Sequence, residues 1–198
     1  MNRFFKSAAA ATIILAGLIS SSAQAAEKVP FAGVVIVPAS APPTAQIDMS
    51  QPSFKRGKTV IYVSDKKPGS IIINTKTNQL FYVLGMDRAV MYRVATAKKG
   101  FEWTGVNKVS AKTEWPDWRP PTEMLQRRPE LPSFMAGGPK NPLGARAIYL
   151  GSTIYRIHGT NEPKSIGKAA SSGCIRMLNE DVSELYNFVK QGAEVTVM

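Results

Sequence analysis

Ile157-His158-Gly159-Thr160 and Ser171-Ser172-Gly173-Cys174-Ile175-Arg176-Met177 hold the single histidine and the single cysteine of the chain, sixteen positions apart. A thiol and an imidazole are the parts of a nucleophile and its proton acceptor. Small residues flank both: Gly159 follows the histidine, and Ser171, Ser172 and Gly173 precede the cysteine. A Ser-Gly-Cys turn leaves its backbone N–H groups uncovered, as an oxyanion hole requires. Alone, a cysteine usually reads as a small buried hydrophobe and a histidine as a satisfied core or surface group. Together in one Gly- and Ser-flanked segment they point to a thiol enzyme. A zinc site fits poorly, because one Cys and one His leave two tetrahedral positions to carboxylates. Neither a metal nor another cofactor is expected.

Outward from this stretch the texture is β. Residues 147–150 and 153–157 read as strands around Gly151-Ser152, which puts His158 at a strand end. Upstream, residues 60–63, 70–73, 79–84 and 89–95 are rich in β-branched and aromatic side chains and are separated by polar turns. Such spacing predicts an antiparallel meander. Downstream, Asn179 reads as an N-cap, Val182, Leu185, Tyr186 and Val189 share one helical face, and Gly192 stops the helix before a closing strand at 193–197.

Between the strand groups, residues 114–121 carry Trp115 and Trp118 among prolines, and a short polar helix is expected near 123–128. Pro129, Pro132, Gly137, Gly138, Pro139, Pro142 and Gly144 follow, marking a long ordered loop of the kind that walls binding sites. Two readings stand for its tryptophans: they wall a groove, or they close one end of the core.

The N-terminus has the layout of a secretory signal peptide: Met1-Asn2-Arg3-Phe4-Phe5-Lys6, an apolar run over 8–19, then Ala23-Gln24-Ala25. A run of about 12 apolar residues falls short of the roughly 20 that span a bilayer as a helix. The expected organisation is a signal peptide at 1–25, a Pro/Ala-rich linker at 26–57 and a catalytic domain at 58–198. The processed protein is then exported to the periplasm without a stable membrane anchor. Within the linker, residues 33–37 (Gly-Val-Val-Ile-Val) read either as an edge strand or as an adhesive peptide. Removing Arg3 and Lys6 takes the formal charge from +11 to +9. An exported protein seldom meets nucleic acid, so an anionic envelope polymer is the expected partner. One cysteine cannot make an internal disulfide, and a leftover thiol in an exported chain suggests a reactive group.

His158-Gly159-Thr160-Asn161, Ile166-Gly167, Ser172-Gly173-Cys174-Ile175-Arg176-Met177 and Asn141-Pro142-Leu143-Gly144 together resemble the L,D-transpeptidase catalytic domain family (YkuD-type) of bacterial cell-wall enzymes. The resemblance spans roughly residues 58–198. It implies a mostly β fold, a β-sandwich with few short helices. It implies that Cys174 is the nucleophile, that His158 is its base and that the main-chain carbonyl of Gly159 orients the imidazole. The N–H groups of Ser172, Gly173 and Cys174 would form the oxyanion hole. Arg176 would brace the turn or meet a substrate carboxylate, with Thr160, Asn161 and Trp118 as further substrate contacts. The implied reaction cleaves a peptidoglycan stem peptide before its terminal D-alanine, holds the acyl group as a thioester and passes it to an amine of a second stem. Carbapenems are the implied covalent inhibitors. Ser172 stands where many relatives carry a second histidine, leaving His158 as the one available imidazole. Water as acceptor (an L,D-carboxypeptidase), a lipoprotein lysine as acceptor, and a non-catalytic wall-binding module are the competing readings. The intact His158/Cys174 pair argues against the last.

Overall fold

The computed structural model describes residues 53–198 and the strand β1 (Val34–Val35). The expected signal peptide and nearly all of the linker lie outside the described residues. β1 pairs antiparallel with β2 (Lys58–Tyr62), so Val34 and Val35 form an edge strand, and the rest of the 33–37 patch lies outside the described residues.

β3 (Ile71–Asn74), β4 (Gln79–Gly85) and β5 (Arg88–Arg93) form the expected meander. β2 departs from it by pairing with β5 instead of β3. The free side of β3 goes to the last strand, β12 (Glu194–Val197), which runs parallel to it, Val195 facing Ile71. What reads as a closing strand is therefore central. Between β4 and β5 the chain reverses through Met86 and Asp87, both left-handed at φ 51° and 53°, the backbone that matches strand twist in a two-residue hairpin.

β7 (Gly105–Glu114) joins the two layers. Its first half pairs with β12, and its second half pairs with β8 (Arg146–Leu150). The register slips between Val109 and Ala111. An extra residue of this kind bends a strand and sharpens its twist. With β9 (Arg156–His158) and β11 (Ile175–Arg176), the continuous strand order β1-β2-β5-β4-β3-β12-β7-β8-β9-β11 folds back on itself, while β6 (Thr96–Ala97) and β10 (Ala169–Ser171) form a separate parallel pair. Ile71, Ile73, Leu80 and Val90 from one layer meet Ile148, Leu150, Ile157 and Ile175 from the other in one core. The opposite face of the meander is also covered: Ile72, Phe81, Val83 and Ala89 pack with Tyr62, whose ring stacks on Phe81 at 4.5 Å. Burial on both faces is why these strands read as unbroken apolar runs.

The short polar helix α1 (Thr122–Arg127) lies between β7 and β8 in the chain, and the helix α2 (Asn179–Phe188) lies against the core through Val182 and Leu185. It ends at Phe188, ahead of the expected stop at Gly192, and Lys112 Nζ donates to the carbonyls of Tyr186 and Val189 (2.5 and 2.7 Å), capping its C-terminus with a cation. Glu184 on α2 accepts the N–H groups of Lys55, Arg56 and Gly57 at 2.6, 2.9 and 2.9 Å. Phe54 packs on Phe188 at 4.2 Å. Residues 54–57, expected as linker, therefore belong to the folded unit. Among the described residues no helix is long and apolar enough to cross a membrane.

Candidate active site

β9 and β11 run parallel, with Ile157 opposite Ile175 and His158 opposite Arg176. Alternation sends Ile157 and Ile175 into the core, fully buried. It sends Arg156, His158, Cys174 and Arg176 to the other side, where all four line one cavity of about 580 Å³. These four side chains therefore project from strands whose alternate residues, Ile157 and Ile175, are anchored in the core.

His158 is 4% exposed, and its Nδ1 lies 2.6 Å from the carbonyl oxygen of Gly159. A carbonyl can only accept, so the proton resides on Nδ1 and the basic lone pair is on Nε2. Burial drives the imidazole pKa down to about 3. The carbonyls of Gly159 and Leu143 oppose that shift, and the charges of Arg176 and Arg156 add to it. Cys174 is half-buried and reachable from the cavity. Burial also raises its thiol pKa, against the opposing pull of Arg156 and Arg176. Its Sγ lies 3.8 Å from the carbonyl of Ile154. Burial therefore favours the neutral form of both the thiol and the imidazole.

The carbonyl that orients His158 is itself held by Asn179. Asn179 Oδ1 accepts from the N–H groups of Ala145 (3.0 Å) and Thr160 (3.1 Å), and Nδ2 donates to the Thr160 carbonyl (3.1 Å). A Cβ on Gly144 or Gly159 would sit 2.1 or 2.2 Å from that oxygen, so both positions must be glycine for the amide to fit. Asn179 is thus not the N-cap expected of it. It is the first residue of α2, and its side chain reaches sideways into the site.

The nucleophile turn has its own brace. Gly173 adopts φ +113°, and a Cβ there would lie 2.4 Å from the Tyr155 ring. Trp103 stacks on Tyr155 (4.4 Å, 5° between planes) and donates its indole N–H to the Gly173 carbonyl at 2.7 Å. The sequence offered no pointer to Trp103 or Tyr155. The Gly173 N–H, expected in an oxyanion hole, is bonded to Ser171 Oγ at 3.2 Å, and that hydroxyl donates to the Cys174 carbonyl. Ser172 and Cys174 line the cavity.

Of the expected substrate contacts, Asn161 and Trp118 line the cavity and Thr160 does not. Thr160 is buried, with its hydroxyl accepting the Glu162 N–H at 2.9 Å, so it holds the loop. Arg176 is paired with Glu162 at 2.8 Å. The 114–144 segment supplies Trp118, Pro121, Met124, Leu131, Met135 and Pro142 to the cavity lining. Trp115 is 43% exposed, and neither tryptophan joins the core, so the core-closing alternative is set aside. Lys98, Arg127, Arg128, Lys140, Arg156 and Arg176 line the cavity against one carboxylate, Glu162, which gives it a positive field.

A family model, YkuD, described as the L,D-transpeptidase catalytic domain, matches residues 68–197. The chain is 35% identical over 137 residues to the probable L,D-transpeptidase ErfK/SrfK of Escherichia coli, covering 65% of this chain and 43% of that protein. It therefore spans less than half the length of that relative. The catalytic domain of the Enterococcus faecium L,D-transpeptidase is similar in fold, with a TM-score of 0.53 at 18% identity, over 68% of this chain and 100% of that one. L,D-transpeptidase 3 of Mycobacterium tuberculosis, in complex with a faropenem-derived adduct, gives a TM-score of 0.50 at 13% identity, over 65% of this chain and 59% of that one.

Proposed function

The chain belongs to the L,D-transpeptidase catalytic domain family of peptidoglycan enzymes, and on that premise we propose that it forms stem-peptide crosslinks through a thioester on Cys174. The observation that carries this reading is the pair itself: Cys174 and His158 line one cavity, with the imidazole proton held on Nδ1 by Gly159. In the first half-reaction Sγ attacks the carbonyl before the terminal D-alanine, and His158 Nε2 takes the S–H proton. The C–S bond forms, the C–N bond breaks, and the proton passes from the imidazolium to the departing amine. In the second half-reaction the acceptor amine attacks the thioester, its proton goes to His158, and the proton then returns to the sulfur as the C–S bond breaks. The N–H groups of Ser172 and Cys174 are the proposed oxyanion donors, joined by Gly173 once its bond to Ser171 opens.

Incubation with tetrapeptide muropeptides tests this. The expected product is a dimer lighter than two monomers by one D-alanine, read by mass spectrometry. Tripeptide monomers instead would show water as the acceptor, and absence of both products with folded protein would return the wall-binding reading. Carbapenems are proposed to acylate Cys174, in line with the faropenem-derived adduct of the mycobacterial neighbour. Export with cleavage after Ala25 is proposed from the sequence, and N-terminal sequencing of the secreted protein checks it.

A further inference from the structure

Two arginines flank the thiol, and they are not equivalent. Arg176 is neutralised by Glu162 at 2.8 Å. Arg156 forms no ion pair among the described residues. Its hydrogen bonding uses Nη2 alone, to the Ile154 carbonyl at 3.2 Å, its Nε is buried without an acceptor, and its guanidinium rests 5.4 Å from the Tyr149 ring centroid. A guanidinium with most of its donors idle at a cavity wall is a site awaiting a planar anion.

We propose that Arg156 is the specificity-determining residue that binds a carboxylate of the acyl donor, one to two residues beyond the attacked carbonyl. The distance follows from one shared neighbour. The Ile154 carbonyl lies 3.2 Å from Arg156 Nη2 and 3.8 Å from Cys174 Sγ, which keeps the guanidinium within about 7 Å of the thiol, some two extended residues. A carboxylate on Arg156 is therefore within about one to two residues of a carbonyl at Sγ, since an extended residue spans roughly 3.5 Å. The donor class is a peptide that ends just after its scissile bond. This rests on the proposed acyl-transfer reading and assigns its substrate recognition.

A merely thiolate-stabilising role fits less well. The charge of Arg156 also opposes the imidazolium that His158 must become during attack. A carboxylate seated on Arg156 removes that opposition at the moment the donor binds. The donor's own charge then makes proton transfer to His158 easier, and the effect falls on kcat as well as on KM.

Binding is measured in a Cys174→Ala background, with the D-alanine-terminated stem tetrapeptide as free acid and as C-terminal amide, by titration calorimetry. The acid is expected to bind about tenfold to a hundredfold tighter, the range of one charge-assisted contact. Arg156→Gln should abolish that preference and leave the amide unchanged. Arg156→Lys, which keeps the charge without the fork, should retain part of it and provides a second folded variant. Equal binding of acid and amide, or a preference that survives Arg156→Gln, overturns the proposal. So does an acid-to-amide ratio unchanged by Arg156→Gln alongside a shifted pH profile of Cys174 alkylation, the latter read in Arg156→Gln with Cys174 intact, which would show action on the thiol alone. If the enzyme with Cys174 intact forms no acyl-enzyme with either peptide, acyl transfer fails while the binding ratio still decides the role of Arg156.

Discussion

Two asparagines organise the two sides of the cavity, and the contrast between them separates chemistry from recognition. Asn179 serves the catalytic side. It ties Ala145 to Thr160 directly behind the Gly159 carbonyl that fixes the His158 tautomer, on strands backed by fully buried Ile157 and Ile175. Asn141 serves the wall. Its Nδ2 donates to the carbonyls of Pro116, Met135 and Ala136 at 3.0, 3.1 and 3.1 Å, and its Oδ1 accepts the Leu143 N–H at 2.9 Å. One amide thereby gathers a loop that has little ladder of its own. The His158/Cys174 side borrows rigidity from the core, whereas the wall is gathered by the Asn141 amide together with the Trp118–Met135 bridge and the Asp117 carboxylate on the Gly137 N–H. Damage to the first should appear in kcat, and damage to the second in KM.

The contrast is tested hardest at the pair itself. Cys174→Ser and His158→Ala should each lower turnover by about a thousandfold or more while leaving the fold intact, since no second thiol or imidazole can substitute. Circular dichroism and single-turnover kinetics on the purified variants check both halves, and a folded Cys174→Ala protein with normal crosslinking would sink the mechanism. Next in size, Asn179→Ala should reduce kcat by about a hundredfold with KM nearly unchanged, because it frees the His158 orienter, and should cost about 1–3 kcal/mol of stability through the N–H groups it orphans. A loss confined to KM would erase the distinction drawn here.

On the wall, Trp118→Ala is expected to raise KM about tenfold with unfolding free energy within about 1 kcal/mol of the parent. Equal losses in activity and stability would instead place Trp118 in the packing of the domain. The smallest effect expected is that of acid. His158 keeps its neutral form down to about pH 3, so kcat/KM should hold nearly level between pH 7 and 5, where an imidazole of ordinary pKa would lose more than tenfold. Stability behaves differently. The unfolded chain takes up a proton at His158 below about pH 6.5 that the folded state refuses, so stability falls as pH drops from there toward 3, by on the order of a few kcal/mol in total. Urea midpoints at pH 7, 5 and 4 measure this, and His158→Gln should flatten the trend.

Much of the site was legible before the fold was. From Ser171 to Met177 buried and half-buried residues alternate, so one short stretch carries both its core anchors and its reactive face. The β-branched and aromatic runs at 71–73 and 80–83, split by polar turns, likewise placed the meander, and the prolines of 114–144 marked a long loop whose tryptophans read equally as groove wall or core closure. What stayed hidden depended on partners far along the chain. Trp103 meets Gly173 across 70 residues, and Asn179 meets Ala145 across 34. Glu184 draws in Lys55 across 129. Thr160, adjacent to two site residues, turns inward because Asn179 claims its backbone.

The chain by itself therefore determined the candidate pair of Cys174 and His158, the strand character on either side of it, and the glycines that let backbone approach backbone. These are consequences of residue type and two-residue periodicity, which neighbours alone can express. Only the tertiary structure decided that β12 would take the edge of β3, that β7 would bend across both layers, that Asn179 would hold the catalytic carbonyl, and that Arg156 and not Arg176 would keep its charge free. Those outcomes turn on which of several chemically equivalent partners the fold brings within reach, and a linear pattern does not contain that geometry.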